Sequence, residues 1–309
     1  MANYFRTLYL GALNIVIQPH TPKIYAERFE KCAELMRRDF KSKKFFSRLN
    51  DGYLITSIRA IDGDGVNNGY AGEVARFLKF NPKVASQWLK LSDGKQAQDE
   101  DIVSVNVPEN LQPNLGIFKF AFYPKNHRLV FEIKAESRSI SHRSVLALFE
   151  HFFNHSGLPA GTERVRITIE QSRQMIGRIL KLEELSAVDL KLARPNDLIS
   201  AQDKEEAIAS MTKAGVEEIE IRLQRTHEKA IVLWDWIRRL AGWAPSNGAL
   251  TATGYEKGKK VTLSTENHPI THKPKYDSRL SVASDAFLVE SRKLGNDLDK
   301  VDCDESAWK

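Results

Sequence analysis

Residues 115–134 read LGIFKFAFYPKNHRLVFEIK, and this stretch decides the fold class. Leu115–Tyr123 and Arg128–Lys134 both alternate along the chain, the period of a strand with one face buried. The intervening YPKNHR is turn chemistry, so the two strands are expected to fold back on each other as an antiparallel hairpin. A helical signal follows at once. Ser141 is an N-cap for a run carrying Val145, Leu146, Leu148, Phe149, Phe152 and Phe153, which Gly157, Pro159 and Gly161 then end. A hairpin feeding a helix points to an α+β fold.

Working outward towards residue 1, Ile102–Val107 is a further strand candidate. Trp88–Asp101 reads as a polar connection. Tyr53–Ile61 and Tyr70–Phe80 read as strands on either side of a loop built from Gly63, Gly65, Asn67, Asn68 and Gly69. Ile24–Phe40 has helical spacing, with Thr21 as N-cap and Pro22 at the first helical position. Residues 3–18 form an extended apolar opening segment. Asn14 interrupts it and no small-residue cleavage site follows, so it reads as a first strand rather than as a signal peptide.

Beyond Gly161 a strand–helix rhythm appears. Val165–Ile169, Ala187–Ala193 and Val216–Leu223 alternate as strands. Helices are expected from Ser172 to Leu182, from Lys204 to Lys213 and across residues 226–241. Ala249–Tyr255 and Lys260–Thr265 form a second hairpin, and a short helix follows Pro274. Two α/β sub-domains result, with mixed, largely antiparallel sheets and packed helices: residues 1–157, residues 158–295, and an acidic, flexible tail at 296–309. Trp234, Trp236 and Trp243 lie on or just after the expected helix. Trp234 and Trp236, two apart, cannot share a face there, so one is expected in the core and another at a domain or subunit interface.

The 309 residues are 42% hydrophobic and 28% charged, ample for real cores. No apolar run is long enough to cross a bilayer, so no membrane partner is expected. Cys32 and Cys303 are the only cysteines and make no disulfide framework, which suits a cytoplasmic location. The net charge of +6 suits an acidic partner.

No phosphate-binding glycine loop, dinucleotide fingerprint or nucleophile elbow occurs. Asp62-Gly63-Asp64-Gly65 resembles the start of a calcium loop, but Val66 occupies the third ligand position and a turn is expected. His151 and His155 have the spacing of a metal pair, yet the glutamate of that motif is missing, and a structural role is favoured. Glu132 with Glu136, and Glu218 with Glu220, read as acids on solvent faces. No catalytic residue, metal site or cofactor is assigned.

The basic clusters carry more information. Arg37, Arg38, Lys41, Lys43, Lys44 and Arg48 crowd the end of the first helix, with Phe45 and Phe46 among them. Lys257, Lys259 and Lys260 sit at a hairpin tip, and Lys273, Lys275 and Arg279 follow. Arg164, Arg166, Arg173, Arg178 and Lys181 form a third group. Cations interleaved with aromatics hold phosphates and stack bases, and dispersed charge favours backbone binding over base reading.

LGALNIVI, the segment around NHRLVFEI, VRITIEQSRQMIGRIL, LARPND and GALTATGYEKGKKVTLST together resemble an uncharacterised bacterial domain family associated with phage defence. A more distant likeness is to RexA-type phage-exclusion proteins and RdgC-type nucleoid proteins. The resemblance implies a cytoplasmic homodimer that binds DNA without strong sequence preference, non-enzymatically, in an abortive-infection-like anti-phage system. Double-stranded DNA is the expected partner, with single-stranded DNA or RNA as variants. The rival expectations are a metal-dependent nuclease or toxin, and a sensor or scaffold that binds a phage or defence-system protein.

Overall fold

A computed structural model of the protein describes residues 4–42, 44–81, 83, 84, 87–103, 107, 108, 111–193, 213, 215–226 and 229–302. The first half contributes strands β1 (Phe5–Thr7), β2 (Leu10–Val16), β3 (Phe46–Arg48), β4 (Asp51–Ala60), β5 (Tyr70–Leu78), β6 (Gly116–Tyr123) and β7 (Arg128–Glu132). Its helices are α1 (Pro22–Lys41) and α2 (His142–Phe153). Then follow β8 (Arg166–Ile169), α3 (Arg173–Leu180), β9 (Glu183–Ala193) and β10 (Glu218–Gln224). Next come α4 (Asp235–Ala241), β11 (Gly248–Glu256), β12 (Lys259–Ser264), β13 (Lys275–Asp277) and α5 (Ala283–Asp302).

Among the described residues all the strand pairs are antiparallel. A seven-stranded sheet has the order β8-β2-β7-β6-β5-β4-β3, and a four-stranded sheet the order β10-β9-β11-β12. The fold is α+β. The hairpin at 115–134 forms as β6 and β7, with Phe120 opposite Phe131.

The alternation along these strands divides the large sheet into two chemically different faces. One bears Leu13, Ile15, Val74, Phe118, Phe120, Phe122, Leu129 and Phe131, packed under α1 and α2. Tyr25, Phe29, Cys32, Ala33 and Met36 supply the α1 side of that core at helical spacing. Thr21 Oγ1 accepts from Ile24 N–H at 3.4 Å at its start, and Ser141 Oγ accepts from Ser144 N–H at 3.1 Å at the start of α2. Phe29 stacks on Tyr70 and Phe122 with ring centroids 4.6 and 5.1 Å apart. Truncating such a buried ring removes about 3–5 kcal/mol of stability.

The opposite face is built from smaller residues, among them Ala12, Ala71, Ala121 and Val130. Helix α5 lies on it through Phe287, Leu294 and Leu298. Covered on both sides, β2 is buried along its whole length. In the second sheet Val188, Leu190, Leu192, Leu250 and Ala252 pack against Ile176 and Ile179 of α3 and Ile237 of α4.

Several elements differ from the sequence reading. Ile102 ends a short helix, Asp99–Ile102, instead of opening a strand; Asp101 there pairs with Lys90 at 2.6 Å. The helix expected across 226–241 is confined to Asp235–Ala241. Trp234 is its extended N-cap, with φ −68° and ψ 152°, so helical spacing does not govern the tryptophan pair. Trp234 and Trp236 stack at 6.1 Å with 17° between ring planes, and both are exposed, at 60% and 46%. Neither is in the core. The final helix is long, continuing past Asn296 to Asp302. The expected helix at Lys204–Lys213, apart from Lys213, and residues 303–309 lie outside the described residues.

The chain passes between its two sheets more than once. β8 pairs with β2 in the large sheet before β9 opens the small one. After β12 the chain returns, with β13 on β1 and α5 on the large sheet. The seam is polar. Arg128 Nε lies 2.9 Å from Glu170 Oε1, with both side chains essentially inaccessible to solvent. Arg128 Nη1 donates to Asn14 Oδ1 at 2.7 Å, and Asn14 Nδ2 donates to the Ser246 carbonyl at 2.9 Å. Ser246 Oγ closes the circuit by donating to Glu170 Oε2 at 3.0 Å.

Candidate nucleic-acid interface and a polar cleft

The cations singled out in the sequence fall on separate surfaces. Arg37, Arg38 and Lys41 lie on the last turns of α1, with Lys44 just beyond, all four exposed. Arg48 stands on β3, the edge strand of the large sheet, and its Nη1 donates to Ser144 Oγ at 3.3 Å. Lys43 lies outside the described residues. The nearby acids are occupied. Glu34 is shared by Lys31 and Arg38, and Asp39 accepts from His155 Nε2 at 2.8 Å. Arg37, Lys41 and Lys44 make no ion pair among the described residues, so this end of α1 presents net positive charge. Exposed Phe45 sits beside them, its ring edge-on to Phe77.

Lys257, Lys259 and Lys260 are exposed at the β11–β12 turn, where Lys257 has φ 52°. That turn belongs to the four-stranded sheet, whereas β3 is the edge of the large sheet farthest from β8. The α1 and hairpin cations therefore form two surfaces. Lys273 and Lys275 are a third, where β13 pairs with β1; Lys273 lies over the Tyr9 ring at 5.9 Å. Three arginines of the remaining group have partners within the chain, whereas Arg164 and Lys181 are exposed. Arg166 contacts Glu217, Arg178 is bidentate to Glu256 at 2.6 and 2.7 Å, and Arg173 donates to Ser246 Oγ.

His155 lies past the C-terminus of α2, which ends at Phe153, so His151 and His155 are not a helical metal pair. Among the described residues no group of three His, Cys, Asp or Glu side chains stands close enough to hold a metal ion. Asp64 of the calcium-loop look-alike caps the turn Gly65–Asn68, accepting from Asn67 N–H at 3.0 Å. Cys32 is buried, and burial pushes its thiol up to about 12, far from a reactive thiolate.

The sequence reading missed a cleft of about 280 Å³ where the N-terminal turns of α5 meet β4, β5 and β6. Two of its charged residues, Glu73 and Lys119, share one row across the sheet. Ser57 of β4 faces Glu73 of β5, and Glu73 faces Lys119 of β6. Lys119 in turn meets Glu132 of β7, whose Oε2 accepts from the Lys119 backbone N–H at 2.9 Å and lies 3.4 Å from Nζ. Glu132 is almost wholly buried. Desolvation raises its pKa above the ordinary carboxylate range, outweighing Lys119, and Glu73 adds a smaller push the same way. Arg59 lies diagonally across from Glu73, opposite Ala71.

Two backbone features shape the floor. Thr56 is an extra residue in β4, because Ile55 pairs with Val74 and Ser57 with Glu73. This bulge re-aims Ser57 and Arg59. Gly72 lets the strands close, since a Cβ there would sit 2.1 Å from the Ser57 carbonyl oxygen. In the sequence Arg59, Glu73, Lys119 and Glu132 are isolated charges on four strands. Only the register sets Glu73, Lys119 and Glu132 in one row with Arg59 in the next.

Among the described residues no helix is long and apolar enough to cross a membrane. No curated protein matches the chain. A family model described as a domain of unknown function, DUF4747, matches residues 6–291, and the chain belongs to that family.

Proposed function

We propose that this protein binds nucleic acid through the phosphate backbone, without strong sequence preference and without cleaving it. One observation carries the reading: Arg37, Lys41 and Lys44 are exposed at one end of α1 and make no ion pair among the described residues, while the acids beside them are taken up by other partners, Glu34 by Lys31 and Arg38 and Asp39 by His155. Such cations release counterions when they meet phosphates, and exposed Phe45 adds an aromatic surface against which a base can stack. Double-stranded DNA is the partner we place first. A cytoplasmic homodimer acting in defence against phage is the setting implied by the likeness of the quoted segments to phage-exclusion proteins.

The test is binding of the full chain to labelled duplex DNA, single-stranded DNA and RNA across a salt series, with and without magnesium. Binding is expected to weaken as salt rises. The triple variant Arg37→Glu/Lys41→Glu/Lys44→Glu should flatten the log–log salt slope by roughly 3, at about 0.9 per duplex phosphate contact. The same reversal at Lys257, Lys259 and Lys260 reports whether the hairpin contributes. Salt-independent binding, or none, overturns the reading. Magnesium-dependent cleavage overturns its non-enzymatic part.

A further inference from the structure

The cleft beneath α5 has a property that the basic surfaces lack: it holds opposite charges that do not satisfy each other. Arg59 and Glu73 are diagonal neighbours on one face of the sheet, at the spacing where cross-strand ion pairs form. Yet neither side chain makes an ion pair or hydrogen bond among the described residues. The adjacent Lys119 is already matched by Glu132 at 3.4 Å, so the cleft keeps one unmatched cation and one unmatched anion. Glu73 is partly buried and lines the cleft, so its carboxylate is available to a cation held there.

The remainder of the cleft defines what that partner looks like. Ala71, Phe120, Phe287 and Leu288 make much of it apolar, and Ser284 on the first turn of α5 adds a hydroxyl. Its volume of about 280 Å³ lies just below the usual range of ligand sites, which suits a small molecule. A ligand that presents a carboxylate to Arg59, an ammonium to Glu73 and an apolar group to Phe287 and Leu288 meets all three features together.

We infer that this cleft is a binding site for a free α-amino acid with an apolar side chain, clamped as a zwitterion between Arg59 and Glu73. The inference is independent of nucleic-acid binding, because none of the cations in that proposal lines the cleft.

The experiment is a thermal-shift and calorimetric screen of the full chain. The probes are the common L-amino acids, with the carboxylic acid and the primary amine that correspond to each apolar one. At least one apolar amino acid is expected to raise Tm in a concentration-dependent way, while its single-charge analogues do not. Arg59→Gln and Glu73→Gln should each weaken that binding by about ten- to a hundredfold, the range for losing one charge-assisted hydrogen bond. Both residues are on or near the surface, so the ligand-free Tm of each variant should stay close to that of the parent and certify the fold. No shift with any amino acid overturns the inference. So does an equal shift with the acid or amine alone, or undiminished binding in both variants.

Discussion

His127 shows how a single position is fixed by its surroundings. It has φ +44° in the β6–β7 turn and is only 5% exposed, and Nδ1 makes no hydrogen bond among the described residues. Its carbonyl accepts from Ile15 N–H at 2.9 Å, and its ring meets His20 edge-on at 4.7 Å. Burial, then Arg128, then His20 lower its pKa well below the ordinary 6.5. The unfolded chain therefore takes up a proton near pH 6.5 that the folded chain refuses. Stability is complete above that pH and falls as pH drops below it, by at most about 1.4 kcal/mol per pH unit for this one group. His142 and His151, also lowered chiefly by burial, act in the same direction. His127→Asn keeps a residue that tolerates positive φ and removes the titration. Urea unfolding between pH 5 and 7 should show a shallower pH dependence in that variant by up to one proton's worth. An unchanged slope would mean that His127 is not a source of it.

At the scale of elements, the clearest sequence signals were those in which one period ran without interruption. The alternation of 115–134 and the spacing of Tyr25, Phe29, Cys32 and Met36 show the hairpin and α1 because burial enforces a period of 2 or 3.6 there. The tryptophan pair was misread because one helical period was laid over 226–241, whereas the helix begins at Asp235. The cleft was illegible for a different reason. Its row of charges depends on the register of four strands and on the bulge at Thr56, and no local pattern encodes either. Gly72 is the residue on which that geometry turns. Gly72→Ala places a methyl group against the Ser57 carbonyl oxygen, which cannot swing away as a side-chain tip would. A loss of about 1–3 kcal/mol is expected in chemical unfolding. A loss smaller than about 0.5 kcal/mol would show that β4 and β5 leave room for a methyl group at this position.

At the scale of the whole molecule, the two sheets are held by the buried circuit of Arg128, Glu170, Asn14 and Ser246. A buried ion pair contributes little net stability over an apolar replacement, but removing one member strands the other. Arg128→Met and Glu170→Gln are each expected to reduce unfolding stability by about 3–5 kcal/mol, and the two losses should not add in the double variant. Additive losses in a double-mutant cycle would dissolve the circuit. No local pattern signals this, since Arg128 opens one strand and Glu170 directly follows another far along the chain. The return of α5 to the large sheet has a further consequence during synthesis. β8 is complete at Ile169, but the helix that covers Leu10, Ala12, Ala71, Ala121 and Val130 ends at Asp302, about 130 residues later. At translation rates of about 5–20 residues per second, the ribosome needs roughly 7–26 seconds to deliver it. Throughout that interval the nascent sheet carries a bare apolar face, which makes the half-made chain, rather than the finished protein, the natural client of a chaperone.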